Sequence, residues 1–505
     1  MLSSLIWIPA LGAAVIGLWP DTLSAKTARH LALGFAAMVF AITVAIATQF
    51  DVSSSTMQFE ESFDWLPQLG LHYRLGLDGL SLPLLILNSF LVGVAIYSTK
   101  EEIARPRLYY SLVLLLTAGV AGAFMAQNLL LFFLFYEVEL LPLYLLIAIW
   151  GGKRRAYAAT KFLIYTAVSG ILLLAGFLGI VWLGHAPSFD FSDAQTAMLP
   201  TATQLPLLIV ILVGLGIKTP IVPLHTWLPD AHVEASTPVS VLLAGVLLKL
   251  GTYGILRFGV QLFPGAWRLV APWLAWIAVV SVLYGAVIAI TQTDMKKMVA
   301  YSSVAHMGFI TLAAAAANPL SLFGATFQMV SHGLISALLF LLVGVVYSKT
   351  GTRSLQVLEG LLNRERGLPV IGSLTIVAAM ASCGIPGMSG FIAEFVVFRG
   401  SLPAFPTQTL LSMLGTGLTS VYFLIMLNQA FFGRLSSDAM RIPRVLWSDR
   451  IPALVLATLI VVLGLQPSWV ARCIEATTTA MTPPHVVAII PLSPIDSFCL
   501  NSTTS

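Results

Sequence analysis

Stretches of about twenty apolar residues recur along nearly the whole chain, and that repetition limits the fold more than any other feature. A helix crosses roughly 30 Å of hydrocarbon in about 20 residues, at 1.5 Å of rise each. Windows of that kind lie near 4–20, 30–48, 80–98, 108–126, 129–149, 162–182, 206–227, 237–258, 271–290, 298–317, 322–347, 369–398, 409–431 and 452–470. Lipid offers no partner to a backbone N–H or C=O, so each window must pair its own groups as a helix. The expectation is an all-α polytopic membrane protein with about fourteen transmembrane helices. Composition agrees: 58% of residues are hydrophobic and 10% charged, against about 25% charged in a soluble domain. The opening MLSSLIWIPALGAAVIGLWP has no basic n-region or A-x-A-like cleavage site and reads as a retained first transmembrane helix.

The formal net charge of +4 says less than where the charges sit. Loops after odd-numbered windows hold Lys26, Arg29, Lys100, Arg105, Arg107, Lys153, Arg154, Arg155, Lys161, Lys296, Lys297, Lys349, Arg353, Arg364, Arg366, Arg434, Arg441, Arg444 and Arg450. These are nineteen of the 26 basic residues. The other side, with its flanks, has Arg74, Arg257, Arg268 and Arg399. By the positive-inside rule the rich side is cytoplasmic or stromal, and both termini face the opposite compartment. No nucleic-acid footprint emerges. Segments 49–79 (with Glu60, Glu61, Asp64 and Asp78) and 183–205 read as surface connections whose acidity is ordinary solvation. Cys383, Cys473 and Cys499 lack metal or disulfide-framework spacing, and there is neither a GxGxxG nor a P-loop, so no cofactor or metal site is expected in this chain.

With loop charges set aside, Glu137, Glu139, Lys218, Lys249 and Glu394 remain inside predicted spans. A lone charge at mid-membrane costs about 2.5–3.5 kcal/mol on insertion scales, so such residues are usually functional or paired within the bundle. Helical positions two apart point about 200° away from each other, so Glu137 and Glu139 are not expected to face one cavity. Glu137 is the functional candidate, and Glu139 supports it or touches a neighbouring helix or subunit. Lys218 sits in GLGIKTPIVPLHTWLPDAHVEASTP, where Pro220 and Pro223 remove amide donors and should break the helix. Non-helical backbone at membrane depth is tolerated only inside protein or around a wet cavity, so a break beside a lysine indicates a site.

Lys249 is expected deep in its span, with Arg257 snorkelling from the helix end. Glu394 follows a second predicted break in MASCGIPGMSGFIAEFVVF. Paired broken helices hint at a transporter built by internal duplication. His306 and His332 lie between the breaks and titrate near neutrality when unperturbed, which suits a proton relay. His225, Asp230, His232 and Glu234 read as an entrance or cap, while Tyr136, Thr219, Ser303 and Ser331 are placed to hold water. Burial and opposite charge act oppositely on a glutamate–lysine pair, so a Glu137–Lys218 pair would be coupled. A chain of such groups bridged by water can relay charge.

The segments FYEVELLPLYLLIAIWGGKRRAYAATKFLIYT, GLGIKTPIVPLHTWLPDAHVEASTPVSVLLAGVLLKLGTYGILR, YSSVAHMGF, QMVSHGLISALLF and GIPGMSGFIAEF closely resemble the chain 4 family of the type I NADH dehydrogenase complex, in its cyanobacterial and chloroplast form. The resemblance implies fourteen helices, two inverted five-helix repeats, and discontinuous helices seven and twelve. The corresponding division is an N-terminal region 1–107, repeats at 108–260 and 270–432, and a C-terminal helix and tail at 433–505. It implies Glu137 and Lys218 as a coupled pair, Lys249 and His306 on a central connection, His332 holding or hydrating it, and Glu394 as the terminal proton-exchanging group. Related antiporter-like subunits carry lysine where this chain has Glu394, which favours chain 4. The family has no redox centre of its own: iron–sulfur clusters and plastoquinone belong to other subunits, and electrons enter from ferredoxin at the peripheral arm. The implied partners are neighbouring membrane-arm subunits and lipids in a cyanobacterial thylakoid, with both termini lumenal. The opening segment most resembles the variant of carbon dioxide uptake complexes, which adds a carbon dioxide hydration subunit as partner. Two other classes fit the residues: an independent cation/proton antiporter, and a structural scaffold subunit.

Overall fold

The computed structural model describes residues 1–20, 23–363, 367–434 and 442–482. Arg364, Arg366, Arg441, Cys499 and the tail past 482 lie outside the described residues. Every predicted window holds helix. Eleven helical segments among the described residues are long and apolar enough to cross a membrane, and shorter apolar helices at Leu2–Leu18, Ser81–Tyr97 and Pro369–Ser382, the last continued by Ser389–Ser401, fill the other three windows. Beyond them an amphipathic helix, Ser468–Met481, packs on the long helix Pro319–Thr350.

Burial separates these helices into an interior and a periphery. The most apolar stretch of Thr237–Val260 is wholly buried, and those of Met295–Ala316 and Pro319–Thr350 are 94% and 89% buried. In Ala25–Gln49 only 28% is covered. A helix apolar on all sides and covered on all sides belongs to a protein interior, and it is there that Lys249, His306 and His332 sit. Side-chain caps fix where the central helices begin. Asn128 accepts from the N–H groups of Leu130 and Leu131, and Asp294 from those of Lys296 and Lys297.

The segment 49–79 holds an antiparallel hairpin, Gln58–Leu66 paired with Leu71–Leu77, where only a surface connection was expected. Glu60, Glu61 and Asp78 are engaged in the structure, while Asp64 is exposed. Glu61 accepts from the first N–H groups of helix Leu2–Leu18, at 2.7 Å from Leu2 N and 3.0 Å from Ser3 N. Burial pushes its carboxyl up, but the amino terminus and Ser3 outweigh this and hold it below the usual range. Glu60 pairs with Arg74 at 3.1 Å. Asp78 is fully buried and forms a 2.6 Å ion pair with Arg257 while its other oxygen caps helix Ser81–Tyr97. Two expectations are thereby corrected. Asp78 is not solvated, and Arg257 does not snorkel, because a carboxylate and the Tyr253 hydroxyl meet it inside the bundle.

Candidate functional site

Three helix interruptions shape the site, and prolines lie at each. The span of Lys218 stops at Lys218 itself and resumes as Trp227–Glu234. Pro220 has no N–H to give the Gly216 carbonyl, which accepts instead from Ile221 N at 3.0 Å, while Trp227 Nε1 satisfies the Ile217 carbonyl at 2.8 Å. The span of Glu394 divides into Pro369–Ser382 and Ser389–Ser401, with Gly384 and Gly387 at φ +67° and +90° around Pro386. Such backbone suits glycine. The third interruption is at Glu139, between Leu129–Val138 and Leu140–Trp150. Pro142 lacks the N–H that the Val138 carbonyl would take in a continuous helix.

Glu139, whose backbone stays helical at φ −74° and ψ −22°, takes the place beside Lys218 that was expected for Glu137. Lys218 Nζ forms an ion pair with Glu139 Oε1, with both side chains buried. Glu137 is only partly buried and is not the direct partner, although both carboxyls are within electrostatic reach of Lys218 and of each other. A Cβ on Gly170 would overlap Glu137 Oε1, so the glycine leaves the space this carboxyl occupies against helix Arg155–Leu183. The Tyr136 ring lies 4.3 Å from Lys218 Nζ, and its hydroxyl is bonded to Ser169 Oγ at 2.7 Å. That ring stabilises the ammonium through its π face.

Lys249 is fully buried between two π-helical stretches, Leu243–Leu247 and Ile255–Val260. Such wide turns frequently mark functional positions. Its ammonium donates to the Ala244 carbonyl at 2.5 Å and meets His332 Nδ1 at 2.8 Å. The rings of His332 and His306 are 5.5 Å apart. His306 Nδ1 stands 3.5 Å from Glu394 Oε1 and 3.3 Å from Gln328 Nε2, while its Nε2 meets Ser382 Oγ at 3.0 Å. Thr416 donates to Glu394 Oε2 at 2.8 Å. Lys249, His332, His306 and Glu394 therefore form one buried file. Ser331 bonds Ser389 at 2.9 Å beside it, whereas Ser303 bonds back to its own helix at Val299. Between this file and the Lys218 pair, Thr219 lies against Gly251 of the Lys249 helix, and its Oγ1 makes no hydrogen bond among the described residues.

The expected entrance cluster divides. Asp230 pairs with Lys161 at 2.7 Å, and Glu234 accepts from Arg154 N at 2.9 Å. His225 packs against Tyr284. His232 is not at the rim: fully buried, it stacks on Phe340 at 4.5 Å, within electrostatic reach of Lys249 and Lys296. Lys296, counted among loop charges, is also buried and donates to the Ala235 carbonyl at 2.5 Å. Glu137 Oε1, His332 Nε2 and both ring nitrogens of His232 make no hydrogen bond among the described residues. Buried polar atoms are almost always paired, with water where protein offers nothing, so these atoms mark where water belongs. No group of three His, Cys, Asp or Glu side chains among the described residues is arranged to hold a metal ion. Sequence reasoning missed Glu139 as the direct partner, and also Ser382, Gln328 and Thr416. No local signal could have found the first, because its partner comes from a distant helix.

A family model described as NADH:quinone oxidoreductase/Mrp antiporter, TM, matches residues 126–419. NAD(P)H-quinone oxidoreductase chain 4 1 of Nostoc sp. is 40% identical over 503 residues, covering 97% of this chain and 92% of that one. NAD(P)H-quinone oxidoreductase chain 4 3 of Trichormus variabilis is 43% identical over 445 residues, covering 86% and 82%. Among solved structures, a chain of respiratory complex I from Thermus thermophilus superposes with a TM-score of 0.86 at 26% identity, over 95% of this chain and 99% of that one. A chain of the Mrp complex from Dietzia sp. shares the fold, with a TM-score of 0.86 at 24% identity and 97% and 99% coverage. With the family match spanning all three helix interruptions and relatives aligned nearly end to end, the chain belongs to the NADH:quinone oxidoreductase/Mrp antiporter membrane family, in its NAD(P)H-quinone oxidoreductase chain 4 branch.

Proposed function

We propose that the chain translocates protons as a membrane-arm subunit of a multisubunit quinone oxidoreductase, driven by electron transfer in other subunits. The observation that carries this reading is the buried file Lys249–His332–His306–Glu394, which runs from the central helix to the second break, with the Lys218–Glu139 pair at the first. Desolvating this many ionisable groups is costly, and a purely structural bundle gains nothing by aligning them. An ion pair and a relay work together by charge. Separating Lys218 from its carboxylate leaves two unpaired charges in a low-dielectric interior, and a proton taken up by the stranded carboxylate relieves that cost. Imidazoles can then accept at one nitrogen and donate from the other toward Glu394.

In the fuller form of this proposal, residues 108–260 and 270–432 are inverted repeats, each with its own break, between the N-terminal region 1–107 and the segment 433–505. Glu137, Lys218, Lys249, His306, His332 and Glu394 form the proton-translocation set, while Glu139, Tyr136, His225, Asp230, His232 and Glu234 lie beside it or at its entrance. The chain itself performs no redox step. Ferredoxin delivers electrons to iron–sulfur clusters of the peripheral arm, plastoquinone accepts them there, and the complex sits in a thylakoid membrane with both termini of this chain lumenal. The complex is a carbon dioxide uptake form with a hydration subunit as partner, a reading supported by the resemblance of the opening segment to that variant.

The test is Lys218→Met in the assembled complex. Protons moved per electron are expected to fall about tenfold or more at normal complex abundance, the scale of losing a proton-transferring group. Unchanged pumping sinks the assignment. Loss of assembly with full pumping by the surviving complex favours the scaffold, and gradient-driven exchange by the isolated chain favours the antiporter.

A further inference from the structure

Two carboxyls lie within electrostatic reach of one lysine at the first break, one of them in direct contact, and their surroundings differ. Glu139 is fully buried, and apart from Lys218 neither of its oxygens has a hydrogen-bond partner among the described residues. Glu137 is partly exposed, with one oxygen pressed on Gly170 and unpartnered. The ammonium is held between the Glu139 carboxylate and the Tyr136 face. One lysine and two carboxyls are electroneutral only when one of the carboxyls carries a proton, and an unbalanced charge in a buried site is strongly disfavoured.

We infer that Lys218 serves two proton-carrying glutamates in turn, staying charged while its ammonium moves from Glu139 to Glu137. This rests on the proton-translocation reading above and concerns how its first site works. With Lys218 on Glu139, the proton resides on Glu137. As the ammonium shifts to Glu137, the Glu137 O–H bond breaks and its proton leaves by the more exposed side, while an incoming proton forms an O–H bond on Glu139 from the interior. The site is neutral before and after, one proton has crossed it, and no electrons move. The reverse order runs the proton the other way.

The experiment compares Glu137→Gln, Glu139→Gln, Glu137→Asp and Glu139→Asp in the assembled complex, reading protons moved per electron and complex abundance. Each glutamine variant keeps one carboxylate for Lys218, so assembly is expected to persist while pumping falls about fivefold or more. The aspartate variants, which retain an ionisable group, are expected to recover most of it. Pumping at the parent level in either glutamine variant overturns the two-carboxyl mechanism. Should Glu139→Gln fail to assemble, the decision passes to Glu139→Asp in redox-triggered infrared difference spectra. A shifted protonated-carboxyl band supports the hand-over, and an unshifted one overturns it. Normal pumping in Lys218→Met would instead remove the underlying reading, so the two failures are distinguishable.

Discussion

The two broken transmembrane helices make opposite use of the same device. At the first, the break carries the cation, and an interrupted neighbour supplies two carboxyls, one of them in direct contact with Lys218. At the second, the broken helix carries the acid, and intact neighbours meet Glu394 with a histidine at 3.5 Å and a threonine hydroxyl at 2.8 Å. A break creates room and unpaired backbone at membrane depth, but the facing helices decide whether the result is an ion pair or a lone acid in a hydrogen-bonded file. The first site can lose a carboxyl and keep its charge balance. Glu394 has no second carboxyl beside it among the described residues. Glu394→Gln should therefore cut protons moved per electron about tenfold or more with the complex intact, the largest effect expected from any single glutamine replacement here. Pumping above about a third of the parent value would break the comparison, because the second site would then need no acid of its own.

A third buried pair separates a structural charge from a working one. Asp78 and Arg257 are as buried as Glu139 and Lys218, yet every polar group of that pair is engaged: Asp78 caps a helix, and Arg257 reaches Tyr253 and Gln261 as well. Asp78→Asn strands a buried guanidinium, which typically costs about 3–5 kcal/mol. The measurable outcome is lower complex abundance and a lower melting temperature, with the proton-to-electron ratio of the surviving complex unchanged. A changed ratio would put Arg257 in the relay.

How much of this could be read from residues alone follows from the range of the interactions involved. Helix positions and the breaks beside Lys218 and Glu394 were legible because hydrophobic run length and proline chemistry are local. Local chemistry also gave the depth of Lys249. The partner of Lys218 was not legible. A regular-helix argument favoured Glu137, and which of the two faces meets Lys218 depends on how distant helices pack, so nothing local reports that Glu139 is the one in contact. Arg257 was misread for a related reason: a position near a helix end suggests an interface, but its partner Asp78 is 179 residues away and nothing local reports it. His232 looked like a rim residue by its acidic neighbours, yet its ring stacks on Phe340, from a helix about a hundred residues later. Lys296 was counted with the loops because it begins a helix, and the carbonyl that receives it belongs to Ala235.

Gly170 sharpens the comparison from the side of the first break. Because a Cβ there would overlap Glu137 Oε1, Gly170→Ala must displace that carboxyl or move its helix, and it leaves Glu139 and Lys218 untouched. Proton translocation should fall several-fold, between the parent and Glu137→Gln, with complex abundance unchanged, since the flexible carboxyl turns aside and leaves its place. An unaltered proton-to-electron ratio would mean that Glu137 works from a position other than the one it holds against helix Arg155–Leu183.

The smallest expected effect lies at the second break, and it tests whether His306 is positioned by one contact or by several. Ser382 ends the first half of the broken helix and meets His306 Nε2 at 3.0 Å, so it ties the backbone break to the ring that faces Glu394. Ser382→Ala removes one neutral hydrogen bond, worth about 0.5–1.5 kcal/mol. His306 retains Gln328 at 3.3 Å and Glu394 at 3.5 Å on its other nitrogen. Pumping is accordingly expected to drop by about two- to threefold with assembly unchanged. A loss as deep as that of Glu394→Gln would show that the ring nitrogen facing Ser382 carries the proton onward. The file would then continue through the break itself, whereas at the first break it passes to the carboxyls beside Lys218.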